Sequence, residues 1–91
     1  MRLDKFLQVS RIIKRRALAN ELCDQGLVSV NGQRAKAARK VKPGDLITID
    51  FGTKGKLTVQ VIRVPEGRVS KDEGAELYRI ISDSRPRPPQ A

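Results

Sequence analysis

Lys14, Arg15 and Arg16 stand in a row at the start of a helical pattern running from about Lys14 to Gln25. In it Leu18 and Leu22 lie four residues apart with Ala17 beside them, and Gly26 supplies the stop. Three cations at a helix N-terminus work against the helix, because its free N–H groups and dipole already present positive charge there. The same groups attract anions, so the arrangement points to a phosphate as the missing partner; the plainer reading is three solvated side chains. In the first 16 residues Arg2, Arg11, Arg15 and Arg16 outnumber Lys5 and Lys14, and a guanidinium fork suits bidentate phosphate contact better than an ammonium does. Arg34, Lys36, Arg39, Lys40 and Lys42 continue the series.

This chemistry is concentrated in one half of the chain. The formal charge is +9, and residues 1–44 hold eleven basic residues against Asp4, Glu21 and Asp24, whereas residues 45–91 hold eight basic residues and seven acids. Such a patch has polyanions as its default partner. Phosphate contacts position a protein without reading bases. Phe6, Phe51 and Tyr78 are the only aromatic residues, too few for a platform on which single-stranded bases stack, so the expected target is folded or helical RNA read by shape and backbone.

Other chemistries find little support. The chain has no histidine and one cysteine, Cys23, which excludes an internal disulfide and a histidine- or cysteine-based triad, and would leave a zinc site to carboxylates alone. Asp72-Glu73 and Glu21 with Asp24 have no accompanying nucleophile, base or phosphate-cradling loop and read as solvated charge. No catalytic residue, metal ligand, cofactor or small-molecule substrate is expected. Cys23 reads as a small packing residue. With neither a signal peptide nor an apolar run of transmembrane length, the protein is expected in the cytoplasm, away from membranes. No spare apolar stripe argues for self-association, so a monomer is expected.

The elements that must position the basic residues follow from periodicity. Leu3, Phe6 and Leu7 predict a short helix over residues 3–9 with Asp4 near its positive end. Ser10 to Ile13 form a tight connection to the second helix. After Gly26 the period switches to alternation: Leu27 to Val30 and about Gln33 to Ala35 read as strands around Asn31-Gly32, a strong hairpin signal. Lys42-Pro43-Gly44-Asp45 is a turn leading into a strand over 46–51, Gly52 to Gly55 a second turn, and 57–64 the next strand. Pro65 to Gly74 reads as a loop or a single helical turn, Leu77 to Ser82 fits a strand or a helix with the strand favoured, and 84–91, with three prolines and two arginines, reads as a disordered tail. At 91 residues only about 60–65% of the unfolded surface can be buried, so one α+β domain over residues 1–83 with a small core is expected.

Four blocks together resemble the S-four-type RNA-binding domain: Met1-Arg2-Leu3-Asp4-Lys5-Phe6-Leu7, Arg11-Ile12-Ile13-Lys14-Arg15-Arg16-Ala17, Gly26-Leu27-Val28-Ser29-Val30-Asn31-Gly32 and Lys42-Pro43-Gly44-Asp45. They cover about residues 1–51, and 52–83 would form a sheet extension. Within that family the whole length is similar to the RqcP (YabO-like) and heat-shock protein fifteen group of ribosome quality control factors. The resemblance implies an S-four-like (alpha-L motif) fold, two N-terminal helices packed on a small antiparallel sheet. It also implies a non-enzymatic factor that binds large-subunit rRNA and peptidyl-tRNA on obstructed large ribosomal subunits. Such a factor supports C-terminal alanine tailing by an RqcH-type partner. By position, Arg2 and Arg16 become the foremost RNA contacts, with Asp4, Lys5, Arg11, Lys14 and Arg15 as neighbours. The position after Arg16 is often Ser or Thr in related domains, and here it is Ala17, so a hydroxyl contact is absent. The Pro-rich end in place of a longer basic helix favours the RqcP branch. A second reading makes the module a targeting subunit for a separate rRNA- or tRNA-modifying enzyme.

Overall fold

The computed structural model describes residues 1–70 and 72–85. Helix α1 spans Leu3–Val9 and helix α2 Arg16–Asp24. Among the described residues, β1 (Val28–Val30), β2 (Gln33–Arg34), β3 (Leu46–Asp50), β4 (Lys56–Val61) and β5 (Tyr78–Asp83) form one antiparallel sheet in the order β2-β1-β3-β4-β5.

Alternation decides which sheet face is buried. Val28 and Val30 pair with Ile49 and Ile47, which pair in turn with Leu57 and Val59. All six are buried with Val61, in one core with Leu3, Phe6 and Leu7 of α1. The hairpin turn has positive φ at both Asn31 (53°) and Gly32 (84°), the geometry whose twist matches the flanking strands. Asn31 does more than turn the chain: its amide nitrogen donates to Asp45 (3.1 Å) and its amide oxygen accepts from the Leu46 N–H (3.0 Å). Asp45 also accepts from the Lys42 N–H (2.9 Å), so the two turns are laced together.

Several expectations are corrected. Helix α2 begins at Arg16, leaving Lys14 and Arg15 in the preceding turn with Arg15 as N-cap. Its buried positions are Ala19 and Cys23, while Leu18 is 46% exposed. Small residues face α1, where large ones would hold the helices apart. The strand expected over 57–64 is Lys56–Val61, because the Ile62 and Arg63 N–H groups turn to the Leu77 carbonyl. Leu77 does not begin β5; it closes a 3-10 turn at Gly74–Leu77 and is fully buried. A β-carbon at Gly74 would lie 3.0 Å from the Val9 carbonyl oxygen and 3.1 Å from that of Ser10, so glycine allows this turn to close against the end of α1.

The tail expected from residue 84 is held at its first two positions. Ser84 bonds Lys56 through its N–H and hydroxyl, and the Arg85 guanidinium pairs with Asp83 (2.9 Å) and sits 5.5 Å from the Phe51 ring centre. The rest of the expected tail, 86–91, lies outside the described residues.

Candidate RNA interface

Two consecutive tasks at the start of the chain create the site. The first turn of α1 needs acceptors for its free N–H groups, and the segment before β3 supplies them: Leu3 N–H donates to the Arg39 carbonyl (2.7 Å) and Asp4 N–H to that of Ala37 (3.2 Å). Val41 N–H returns a bond to the Met1 carbonyl (3.0 Å), and Arg2 bridges Lys40. In this segment Ala35, Ala37 and Val41 are buried while Lys36, Arg39 and Lys40 are exposed. Residues nearly 40 positions apart thus become one basic strip.

Asp4 is the second organiser. It is 2% exposed, and its carboxylate faces two arginines: Arg2 Nε and Arg16 Nε each lie 3.3 Å from it, with their Nη2 groups at 3.4 Å. Asn20 Nδ2 (3.4 Å) and the Lys5 N–H (2.8 Å) complete its shell. Burial opposes ionisation of Asp4, but the bonds from Arg16, Asn20 and the Lys5 N–H outweigh it and hold the carboxyl below its ordinary range. Two guanidiniums that would repel each other are therefore fixed side by side. Each commits Nε and Nη2 to Asp4 and is about half exposed, 48% at Arg2 and 45% at Arg16, leaving the Nη1 ends for an outside anion. Asp4, expected among the contacts, is buried behind the two arginines it pairs with.

The other expected residues divide by position. Lys5 is exposed in the first turn of α1, and Lys14 and Arg15 are exposed beside Arg16. Arg11 is exposed with a φ of 67°, an uncommon conformation for arginine, in the turn that Gly74 closes upon. Arg34 is not brought to the strip. Its side chain lies over Gly26, within 3.5 Å of where a β-carbon there would sit, at the opposite end of α2. That is the negative end of the helix, where a cation is stabilising. Reasoning from the sequence missed Asn20, whose only signal was its place four residues after Arg16 on the same helix face.

Cys23 is 5% exposed, and burial, then the Asp4 and Asp24 charges, push its thiol up to about 11, so it is a packing group rather than a nucleophile. Among the described residues there is no group of His, Cys, Asp or Glu that could hold a metal ion. Nor is any helix long and apolar enough to cross a membrane.

Comparison with known proteins adds four findings. The model of the S4 domain matches residues 1–47. The chain is 52% identical over 85 residues to a Bacillus subtilis protein described as "RQC P-site tRNA stabilizing factor", covering 93% of this chain and 96% of the relative. It is 38% identical over 84 residues to heat shock protein 15 of Escherichia coli, covering 92% of this chain and 62% of that protein. Its fold is similar to a trimeric structure of heat shock protein 15 from Vibrio cholerae, with a TM-score of 0.78 and 35% identity over 90% of this chain and 82% of the other.

Proposed function

The chain belongs to the S4 domain family, and from that membership we propose that it is an RNA-binding factor of ribosome quality control that stabilises tRNA in the P site. It acts by binding and not by catalysis. It holds large-subunit rRNA and peptidyl-tRNA on obstructed large subunits in the cytoplasm, in a state that permits an RqcH-type partner to extend the stalled chain with C-terminal alanines. The working unit is residues 1–83 as one domain.

The observation that carries this reading is the Asp4 pair: two guanidiniums, half exposed, fixed by a buried carboxylate beside Lys5, Lys14, Arg15, Arg39 and Lys40. A pre-fixed arginine pair loses little side-chain freedom on meeting a phosphate backbone, which favours contact with RNA of fixed shape. The name of the Bacillus subtilis relative, of which this chain covers 96%, supplies the P-site tRNA setting.

The test is co-sedimentation with free large subunits, large subunits carrying peptidyl-tRNA, and intact ribosomes, using the parent protein and Arg16→Ala. Preferential pelleting with tRNA-loaded subunits that Arg16→Ala abolishes supports the proposal. Equal binding to all three reduces it to a general RNA binder, and absence of binding favours the targeting subunit of a modifying enzyme.

The solved Vibrio cholerae relative is trimeric. For this chain we expect a monomer, because the exposed large apolar side chains, Leu18, Leu46, Ile62, Ile80 and Ile81, are spread over α2, β3, β5 and the residue after β4. Sedimentation velocity across a hundredfold concentration range should give one species near the mass of a single chain.

A further inference from the structure

Beside the basic strip lies an open recess of about 540 Å³, lined by Met1, Lys5, Pro43 and the segment Val64-Pro65-Glu66-Gly67. Its size falls within the range of about 300–1,000 Å³ typical of small-ligand pockets. The lining is partly rigid. Pro43 and Pro65 have locked φ, and Met1 is held by the bond from Val41 N–H. Met1 and Val64 also pack against the core.

Its charges are distinctive. Arg2 and Arg16 are paired with Asp4, but neither Lys5 nor Glu66 makes an ion pair among the described residues, and both are exposed. A cation and an anion thus stand uncommitted on one recess of mixed polar and apolar lining that adjoins the strip through Lys5.

We infer that this recess takes one unstacked base, with guanine preferred, from the RNA that lies along the strip; the inference rests on the RNA-binding reading above. An extruded nucleotide has the matching chemistry: an apolar face for the prolines, Val64 and Met1, a phosphate for the Lys5 ammonium, and an edge of hydrogen-bond donors for the Glu66 carboxylate. Guanine has two adjacent donors on its pairing edge, which fit the two carboxylate oxygens. The recess therefore adds one point of base selection to a protein whose other contacts read only backbone and shape.

The experiment uses three RNA hairpins with a common stem: fully paired, with one bulged guanosine, or with one bulged uridine. The parent protein should bind the guanosine bulge about tenfold more tightly than the paired stem, the size expected of one good base-reading pair. An added β-carbon at Gly67 meets nothing within 4 Å and its φ is not positive, so Gly67→Phe places a bulky ring on the lining of the recess without backbone strain. It should erase the tenfold preference while leaving affinity for the paired stem within about twofold. Glu66→Gln, at an exposed position, should lower the preference for guanosine over uridine. Equal binding of the parent to paired and bulged hairpins would overturn the recess and leave the RNA reading standing. So would a loss in Gly67→Phe that is the same for both. Failure to bind any of the hairpins would overturn both.

Discussion

At Asp4, desolvation and hydrogen bonding pull in opposite directions, and the bonds prevail. Because the folded carboxyl titrates below the ordinary 3.8, its stabilising contribution is complete above that value and is lost as pH falls through the lowered pKa. Thermal melts taken from pH 6 down to pH 2.5 should therefore show a steeper acid loss for the parent than for Asp4→Asn. At neutral pH, Asp4→Asn should weaken RNA binding more than stability, since it frees two arginines that were fixed. Arg16→Ala leaves Asp4 bonded by Arg2, Asn20 and the Lys5 N–H, so it should cost only about 1 kcal/mol, a fall of roughly 4–8 °C in Tm for a domain of this size. Binding lost without unfolding in a circular dichroism melt is the expected result. Cys23, buried and raised to about 11, should react with a thiol reagent at neutral pH at least about 100-fold more slowly than in denaturant.

Between elements, the lacing of turns carries more than the turns alone. The sequence identifies Asn31-Gly32 as a hairpin, yet Asn31 also binds Asp45 and the Leu46 N–H on the neighbouring strand. Asn31→Ala removes those bonds and puts alanine at a φ of 53°, so a loss of about 2–3 kcal/mol is expected in urea unfolding. Asn31→Gly restores the backbone freedom but not the bonds and should recover only part of that. At Gly55 a β-carbon would lie 2.7 Å from the Ser84 carbonyl oxygen, so Gly55→Ala should loosen the end of β5. β5 is an edge strand with a bulge opposite Thr58 and Val59, where Ile81 is the extra residue. That irregularity blunts an edge that would otherwise invite pairing.

For the whole molecule, charge asymmetry becomes geometry. The basic half of the chain closes its own strip, and the second half supplies β3, β4 and Leu77 to the core and Gly74 to the turn at Arg11. If the strip neutralises about six to eight phosphates, affinity for structured RNA should fall by at least about three orders of magnitude between 50 and 200 mM salt. Arg34→Ala, far from the strip at the end of α2, should leave that salt slope unchanged, whereas Lys40→Ala should make it shallower by about one. Measuring the slopes by filter binding separates these outcomes.

The sequence by itself determined the fold class, the length of α1, the hairpin and the basic character of the first half, because these depend on residue type, local spacing and turn chemistry. The resemblance to the S-four-type domain singled out Arg2 and Arg16, and the structure brings both to the Asp4 carboxylate. The sequence could not show that Arg39 and Lys40 join Arg2 through backbone bonds to the start of α1, or that Arg34 leaves them, because both depend on contacts distant along the chain. Nor could spacing decide the buried face of α2. Of the apolar pair Leu18 and Leu22, only Leu22 packs partly against the core, and the fully buried positions of α2 are Ala19 and Cys23. The role of Asp4 was likewise a tertiary decision: near a helix N-terminus it reads as a local charge, and only the approach of α2, bringing Arg16 and Asn20, makes it the buried anion that fixes two cations in place.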